Sequence, residues 1–208
     1  MRLGVFGGSF DPVHVGHLVV AETCRERARL DRVLFVPVAL QPHKQGQPPS
    51  PASDRLEMLR LATGGHDALA VSSIETDRGG VSYTADTLDA LAASHPGDEL
   101  LLILGPDALA GLPSWYEPRR ILAAAALLAV EREGLDDIAD IVRRPDLAAL
   151  LGAERAGEVI ATRVRVPAIG IRATDLRAAS AAGASIRYRT PRAVERYIAT
   201  HGLYRGEA

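Results

Sequence analysis

Two histidines three residues apart, His14 and His17, close the stretch Gly7-Gly8-Ser9-Phe10-Asp11-Pro12-Val13-His14-Val15-Gly16-His17. A spacing of three puts both imidazoles on one face of a first helical turn. Glycines let the backbone come close to a ligand, and a helix start turns free N–H groups and the positive dipole end toward it. Such a combination suits an anion, with Gly16 leaving the face between the imidazoles open. The run from Arg2 to Phe6 reads as a buried strand and the stretch from Val15 to about Arg29 as an amphipathic helix, so the histidines fall at a strand–turn–helix junction.

Two familiar phosphate-binding patterns fail on spacing. No Lys-[Ser/Thr] pair follows Gly16, as a P-loop requires. Gly4 to Gly8 does not match G-x-G-x-x-G, and the second strand ends Phe35-Val36-Pro37 rather than in an acid. What Gly7 to His17 resembles, residue for residue, is the G-[ST]-F-D-P-x-H-x-G-H motif of the HxGH nucleotidyltransferase superfamily.

The elements needed to hold this junction alternate along the chain. Strands are expected at Arg32 to Pro37, Ala68 to Ser72, Glu99 to Leu104, Ala124 to Val130 and Glu158 to Val166. Helices are expected from a Ser53-Asp54 cap to Thr63, from Tyr83 to about Ala93, over Leu135 to Ala156, from a Thr174 cap to Ala182, and from Thr190-Pro191 to Gly202. The alternation predicts an α/β fold: a doubly wound, Rossmann-like parallel sheet with helices on both faces, forming one domain over residues 1–208 with a small helical portion from about 172. Ligands are expected beyond the carboxyl ends of the strands. Val38 to Pro51, with four prolines and Gly46, is too irregular for either period and reads as a functional loop.

Resemblance extends over nearly the whole chain to the nicotinate mononucleotide adenylyltransferase family. It is carried by Gln41-Pro42-His43-Lys44, Ser82-Tyr83-Thr84-Ala85-Asp86-Thr87-Leu88, Leu104-Gly105-Pro106-Asp107 with Trp115, and the ending Tyr197 to Tyr204, the least diagnostic of the four. The resemblance implies transfer of the adenylyl group of ATP to nicotinate mononucleotide, with release of pyrophosphate. It implies that Gly7, Gly8, Ser9, Phe10, His14, Gly16 and His17 hold ATP, with Gly105 and Asp107 at the adenosine and Thr174 and Arg177 at the phosphates. His14, His17, Lys44 and Arg177 would carry catalysis. His43, Lys44, Thr84, Trp115, Tyr116 and Arg132 would hold the acceptor, its pyridine ring lying on Trp115. A single tryptophan in a loop is also a common packing anchor. Mg²⁺ is expected to arrive with ATP and to take few or no protein ligands.

The chain departs from the family pattern in several places. Ile171-Arg172-Ala173-Thr174 lacks two hydroxyls, Pro106 removes an N–H beside Gly105, and Glu133 places a carboxylate next to Arg132. These changes keep two alternatives open: a related transferase with a different phosphorylated acceptor, and a nucleotide-binding relative without turnover.

Composition bounds the partners. With 24 basic and 26 acidic residues the net charge is −2, which points away from nucleic acid and membrane surfaces and toward small-molecule substrates. Of the basic residues only Lys44 is a lysine, a compact and mobile charge suited to a phosphate tail. The single Cys24 is expected in the core, and the absence of a signal-peptide pattern or an apolar span leads to an expectation of a soluble, unprocessed, cytoplasmic protein. Oligomeric state is left open, a homo-oligomer included.

Overall fold

Strands whose both faces are covered read as unbroken apolar runs, and Leu100 to Leu104 is such a run, each residue at most 4% exposed. In the computed structural model, which describes residues 1–40, 49–132, 134 and 137–205, six parallel strands form one sheet. They are β1 (Arg2–Gly8), β2 (Arg32–Pro37), β3 (Leu69–Val71), β4 (Glu99–Leu104), β5 (Ala126–Arg132) and β6 (Val164–Val166), in the order β3-β2-β1-β4-β5-β6. Val5 stands opposite Leu34 on one side and Leu102 on the other. The order reverses between β1 and β4, and at that switch point the chain leaves the two strands in opposite directions, opening a crevice at their carboxyl ends.

Alternate side chains of β4 feed two cores. Ile103 and Leu101 pack with Val20 of α1 (Val15–Arg27), Met58 of α2 (Ala52–Thr63), Leu176 of α9 (Ala173–Ala181) and Ile198 of α10 (Arg192–His201). Leu100, Leu102 and Leu104 face the other way. They share a core with Leu88 of α4 (Thr84–Ser94), Leu109 of α5 (Pro106–Gly111), Ile121 of α6 (Pro118–Ala124), Ile141 of α7 (Ile138–Val142) and Leu147 of α8 (Pro145–Thr162). The short α3 (Ile74–Arg78) precedes α4. The expected doubly wound sheet with helices on both faces and a helical C-terminal portion is thus present. Cys24 is a buried core residue, and no described helix is long and apolar enough to cross a membrane.

Several expected boundaries move, each for a physical reason. β1 continues through both glycines, which pair with Val36 and Pro37 of β2. α1 stops at Arg27 because Arg29 is left-handed, φ 52°. α2 starts at Ala52 with Pro51 in the cap position, so Ser53-Asp54 lies inside it. Ala124 belongs to α6, and β5 begins two residues later. The helix expected over 135–156 is two helices, α7 and α8; α8 bends at Gly152 (φ 69°, ψ 171°) and absorbs most of the strand expected from Glu158, leaving only Val164–Val166 extended. The helix-forming Glu158 and Ala161 outweigh the short β-branched pattern there. Arg172, not Thr174, is the cap position of α9, and Pro191, not Thr190, that of α10. Gly202 ends α10 in a left-handed turn, φ 64°, as expected.

Candidate active site

The turn after β1 is built by one ring folding backward. Phe10 adopts φ 48°, a left-handed conformation uncommon for a bulky residue. Its side chain is 1% exposed and meets Phe6 and Phe35 with ring centroids 5.5 Å away in both cases. Burial of that ring holds the turn, and its backbone is left for a ligand. A Cβ on Gly8 would stand 3.0 Å from the Phe10 ring, whereas Gly7 is open on all sides. Gly8 is therefore constrained by packing, and Gly7 is not.

His14 occupies the cap position of α1 and His17 its first turn. Their rings stack with centroids 3.6 Å apart at 24°. A Cβ on Gly16 would lie 3.1 Å from the His14 ring, so the space this glycine leaves is filled by His14 itself rather than kept open. The His14 amide donates to His17 Nδ1 at 3.2 Å. A neutral His17 must then carry its proton on Nε2, presenting a donor outward. Burial, and second the charge of Arg132, hold the His14 pKa down at about 4. Burial, then His14, then Arg132 keep His17 well below the ordinary range too. Both rings are neutral donors at pH 7. His14 Nδ1 is buried with no hydrogen-bond partner among the described residues.

One cation acts on this pair and another on the turn before it. Arg132, the last residue of β5, brings its Nη2 to 3.8 Å from where a Cβ of Gly105 would be. Gly105 caps α5 directly after β4, and exposed Asp107 lies in the first turn of that helix. From the other side Arg177 of α9 donates to the Asp11 carbonyl at 2.7 Å. Thr174 lies exposed in the first turn of the same helix, and both residues line a shallow cleft shared with Tyr204. The structure thus brings His14, His17, Arg132, Gly105 and Arg177 to the switch point. Arg132, expected on the acceptor, also acts electrostatically on both histidines. His43, Lys44 and Glu133 lie outside the described residues.

On the far side of β4, Thr84 opens α4, and Tyr83 before it packs on exposed Tyr116 with centroids 4.5 Å apart. Trp115 is half-buried against the core beneath α4 to α8. Its ring packs against the core while part of its surface stays exposed.

Two residues of this region, Arg55 and Glu75, lie outside every motif that sequence reasoning singled out, and Asp11, inside the first motif, was given no role by it. Arg55 of α2 is 1% exposed and donates to three carbonyls: Ser9 at 3.1 Å, Val38 at 2.7 Å and Ser50 at 2.8 Å. A buried charge is tolerated only when its donors are used, and these carbonyls belong to the turn and to both flanks of the 41–48 segment. Asp11 accepts from the Tyr204 hydroxyl at 2.6 Å and the Ser50 amide at 3.1 Å. Glu75, buried, accepts from the Thr87 hydroxyl at 2.7 Å. The signal for Arg55 was faint: an arginine on the buried face of an amphipathic helix.

A parallel sheet in the order 3-2-1-4-5-6, with an anion-seeking turn and two cations at its switch point, defines a doubly wound α/β protein whose ligand site lies at the carboxyl strand ends. Residues 5–179 match the cytidylyltransferase-like family model. Among relatives, a probable nicotinate-nucleotide adenylyltransferase of Thermomicrobium roseum is 43% identical over 204 residues, 98% of this chain and 92% of its own. One from Roseiflexus sp. is 45% identical over 203 residues, 98% of each chain. The solved Plasmodium falciparum nicotinic acid mononucleotide adenylyltransferase complexed with NaAD superposes with a TM-score of 0.72 at 15% identity, covering 98% of this chain and 97% of that one, which speaks for the fold. The chain belongs to the cytidylyltransferase-like, HxGH nucleotidyltransferase superfamily, with nicotinate-nucleotide adenylyltransferases as strongly matching relatives.

Proposed function

We propose that the protein transfers the adenylyl group of ATP to nicotinate mononucleotide, giving nicotinate adenine dinucleotide and pyrophosphate. The observation carrying this reading is the stacked, neutral His14–His17 pair at the start of α1, with Arg132 acting on both rings and Arg177 bound to the Asp11 carbonyl of the turn before them. An oxygen of the acceptor phosphate attacks the α-phosphorus. The bond from that phosphorus to the bridging oxygen breaks, and pyrophosphate leaves with the electron pair. A phosphate monoester has its second pKa near ~6, so the nucleophile is already ionised and no general base is needed. What remains is to align the reactants and to meet the developing charge. His14 and His17 donate hydrogen bonds to the reacting and leaving phosphates. Arg132 supplies full charge where the substrates meet, and Arg177 and Lys44 act on the β and γ phosphates.

Gly105 and Asp107 suit the adenosine by close approach and by accepting from ribose hydroxyls. Thr84, Trp115 and Tyr116, with His43, suit the acceptor. Magnesium would come with ATP and supply charge neutralisation on its phosphates; Asp11, the acid in the turn, already has both oxygens engaged, which fits a cation that takes few protein ligands. The reaction is that of a soluble, cytoplasmic enzyme acting on small molecules.

The test is pyrophosphate release from MgATP with nicotinate mononucleotide, nicotinamide mononucleotide and a panel of other phosphorylated acceptors, with the product mass read in each case. The largest kcat/KM on nicotinate mononucleotide supports the reading. Preference for another acceptor moves the protein to a neighbouring activity, and ATP binding without release makes it a binding protein.

A further inference from the structure

The last described turn of the chain reaches back to the nucleotide site. Gly202 reverses the chain after α10, and Leu203 and Tyr204 then pack against the core beneath α1, α2 and α9. Tyr204 holds a left-handed φ of 62°, a conformation a bulky residue keeps only when its surroundings demand it. Its hydroxyl donates to Asp11 Oδ1 at 2.6 Å, across 193 residues of sequence.

Asp11 uses its other oxygen on the Ser50 amide, and Arg55 takes the Ser50 carbonyl. The Ser50 backbone is thereby gripped at donor and acceptor alike. The same Arg55 holds Ser9 and Val38, and Arg177 holds the Asp11 carbonyl. Tyr204 and Arg55 approach one turn from two sides, and neither belongs to the motif that forms it. Burial, and then the bond to Asp11, push the Tyr204 hydroxyl pKa up, so it remains a donor at any working pH.

We propose that Tyr204 is a positioning residue for nucleotide binding: through Asp11 it fixes the backbone of Ser9 to Asp11, with Arg55 as the second point of attachment. The idea rests on the reading of that turn as the ATP site. Removing a hydroxyl that donates to a buried carboxylate frees the turn to shift, so the effect belongs on ATP and not on the acceptor.

The experiment compares Tyr204→Phe with the full-length protein and with Tyr197→Phe. The latter removes the hydroxyl that ties α10 to Asp54 at 2.8 Å, away from the turn. Amide exchange over residues 8–12 of the free protein should rise in Tyr204→Phe, and the KM for ATP should rise about tenfold with the KM for nicotinate mononucleotide and the kcat unchanged. Tyr197→Phe should lower Tm and change neither. Wild-type exchange at residues 8–12, or a wild-type ATP constant, overturns the proposal whatever happens to Tm. Should Tyr204→Phe not fold, Asp11→Asn keeps an acceptor oxygen for only one of its two donors and is held to the same two outcomes. If the wild-type protein binds ATP without turnover, the proposed activity fails while the Kd for ATP replaces KM in the comparison. If it does not bind ATP, both readings fail together, and exchange at residues 8–12 reports whether the tether still orders the turn.

Discussion

His14 sits at an unusual electrostatic balance for the phosphate ligand proposed above, because the free protein keeps it neutral. Replacing it with alanine should lower kcat by ~10²-fold or more while leaving the circular dichroism spectrum intact, since the lost donor acts on charge that develops in the transition state. A near-normal kcat removes it from the mechanism. Neutrality also sets a pH dependence. The folded pKa of about 4 lies below the ordinary value of 6.5, so the unfolded chain binds a proton that the folded chain refuses. The stability held above pH 6.5 is therefore lost as pH falls from 6.5 toward 4. His14→Gln should flatten part of that acid limb in a Tm series; an unchanged limb would show that the imidazole is better solvated than its burial implies.

At the scale of elements, two glycines of the same turn should behave differently. A methyl at Gly8 meets the Phe10 ring, which is locked among Phe6 and Phe35. Gly8→Ala should cost about 1 to 3 kcal/mol in denaturant unfolding, the range for overpacking a full core. A methyl at Gly16 meets the His14 ring at the edge of the crevice. Gly16→Ala should leave stability nearly unchanged and lower kcat by displacing that imidazole. Equal effects of the two on both readouts would contradict this division. The start of α1 is also held from outside: the Thr190 hydroxyl donates to the Val13 carbonyl at 2.8 Å and the Val15 amide to the Arg189 carbonyl at 3.0 Å. The segment before α10 thus helps set the angle at which α1 points its N-terminus into the crevice.

For the whole molecule, the two sides of the switch point should be separable. On the proposed reading, the His14, Arg132 and Arg177 side serves ATP and the meeting point of the substrates, and the Tyr83, Trp115 and Tyr116 side serves the acceptor. Trp115→Ala should raise the KM for nicotinate mononucleotide at a nearly constant KM for ATP. Because the ring also packs against the core, it should cost about 1 to 3 kcal/mol in stability as well. Loss of stability with both constants unchanged makes Trp115 an anchor only.

The strand–turn–helix junction, the parallel sheet and the histidine pair are legible in the sequence because each rests on local order: an apolar run, paired glycines, a spacing of three, an alternation of periods. The expected boundaries at Arg29 and Glu158 shift, and α8 bends at Gly152, where one residue's backbone conformation or a helix propensity outweighs a short pattern. What only the tertiary structure decided is what meets across sequence distance. Arg132 reaches Gly105 because β5 lies beside β4, and that neighbour is what helps hold two imidazoles neutral. Arg55 is buried against three carbonyls, and Tyr204 reaches Asp11, because α2 and α10 cover the same face as the turn. No periodicity encodes such contacts, since a hydrogen bond across 193 residues depends on the fold that closes the distance.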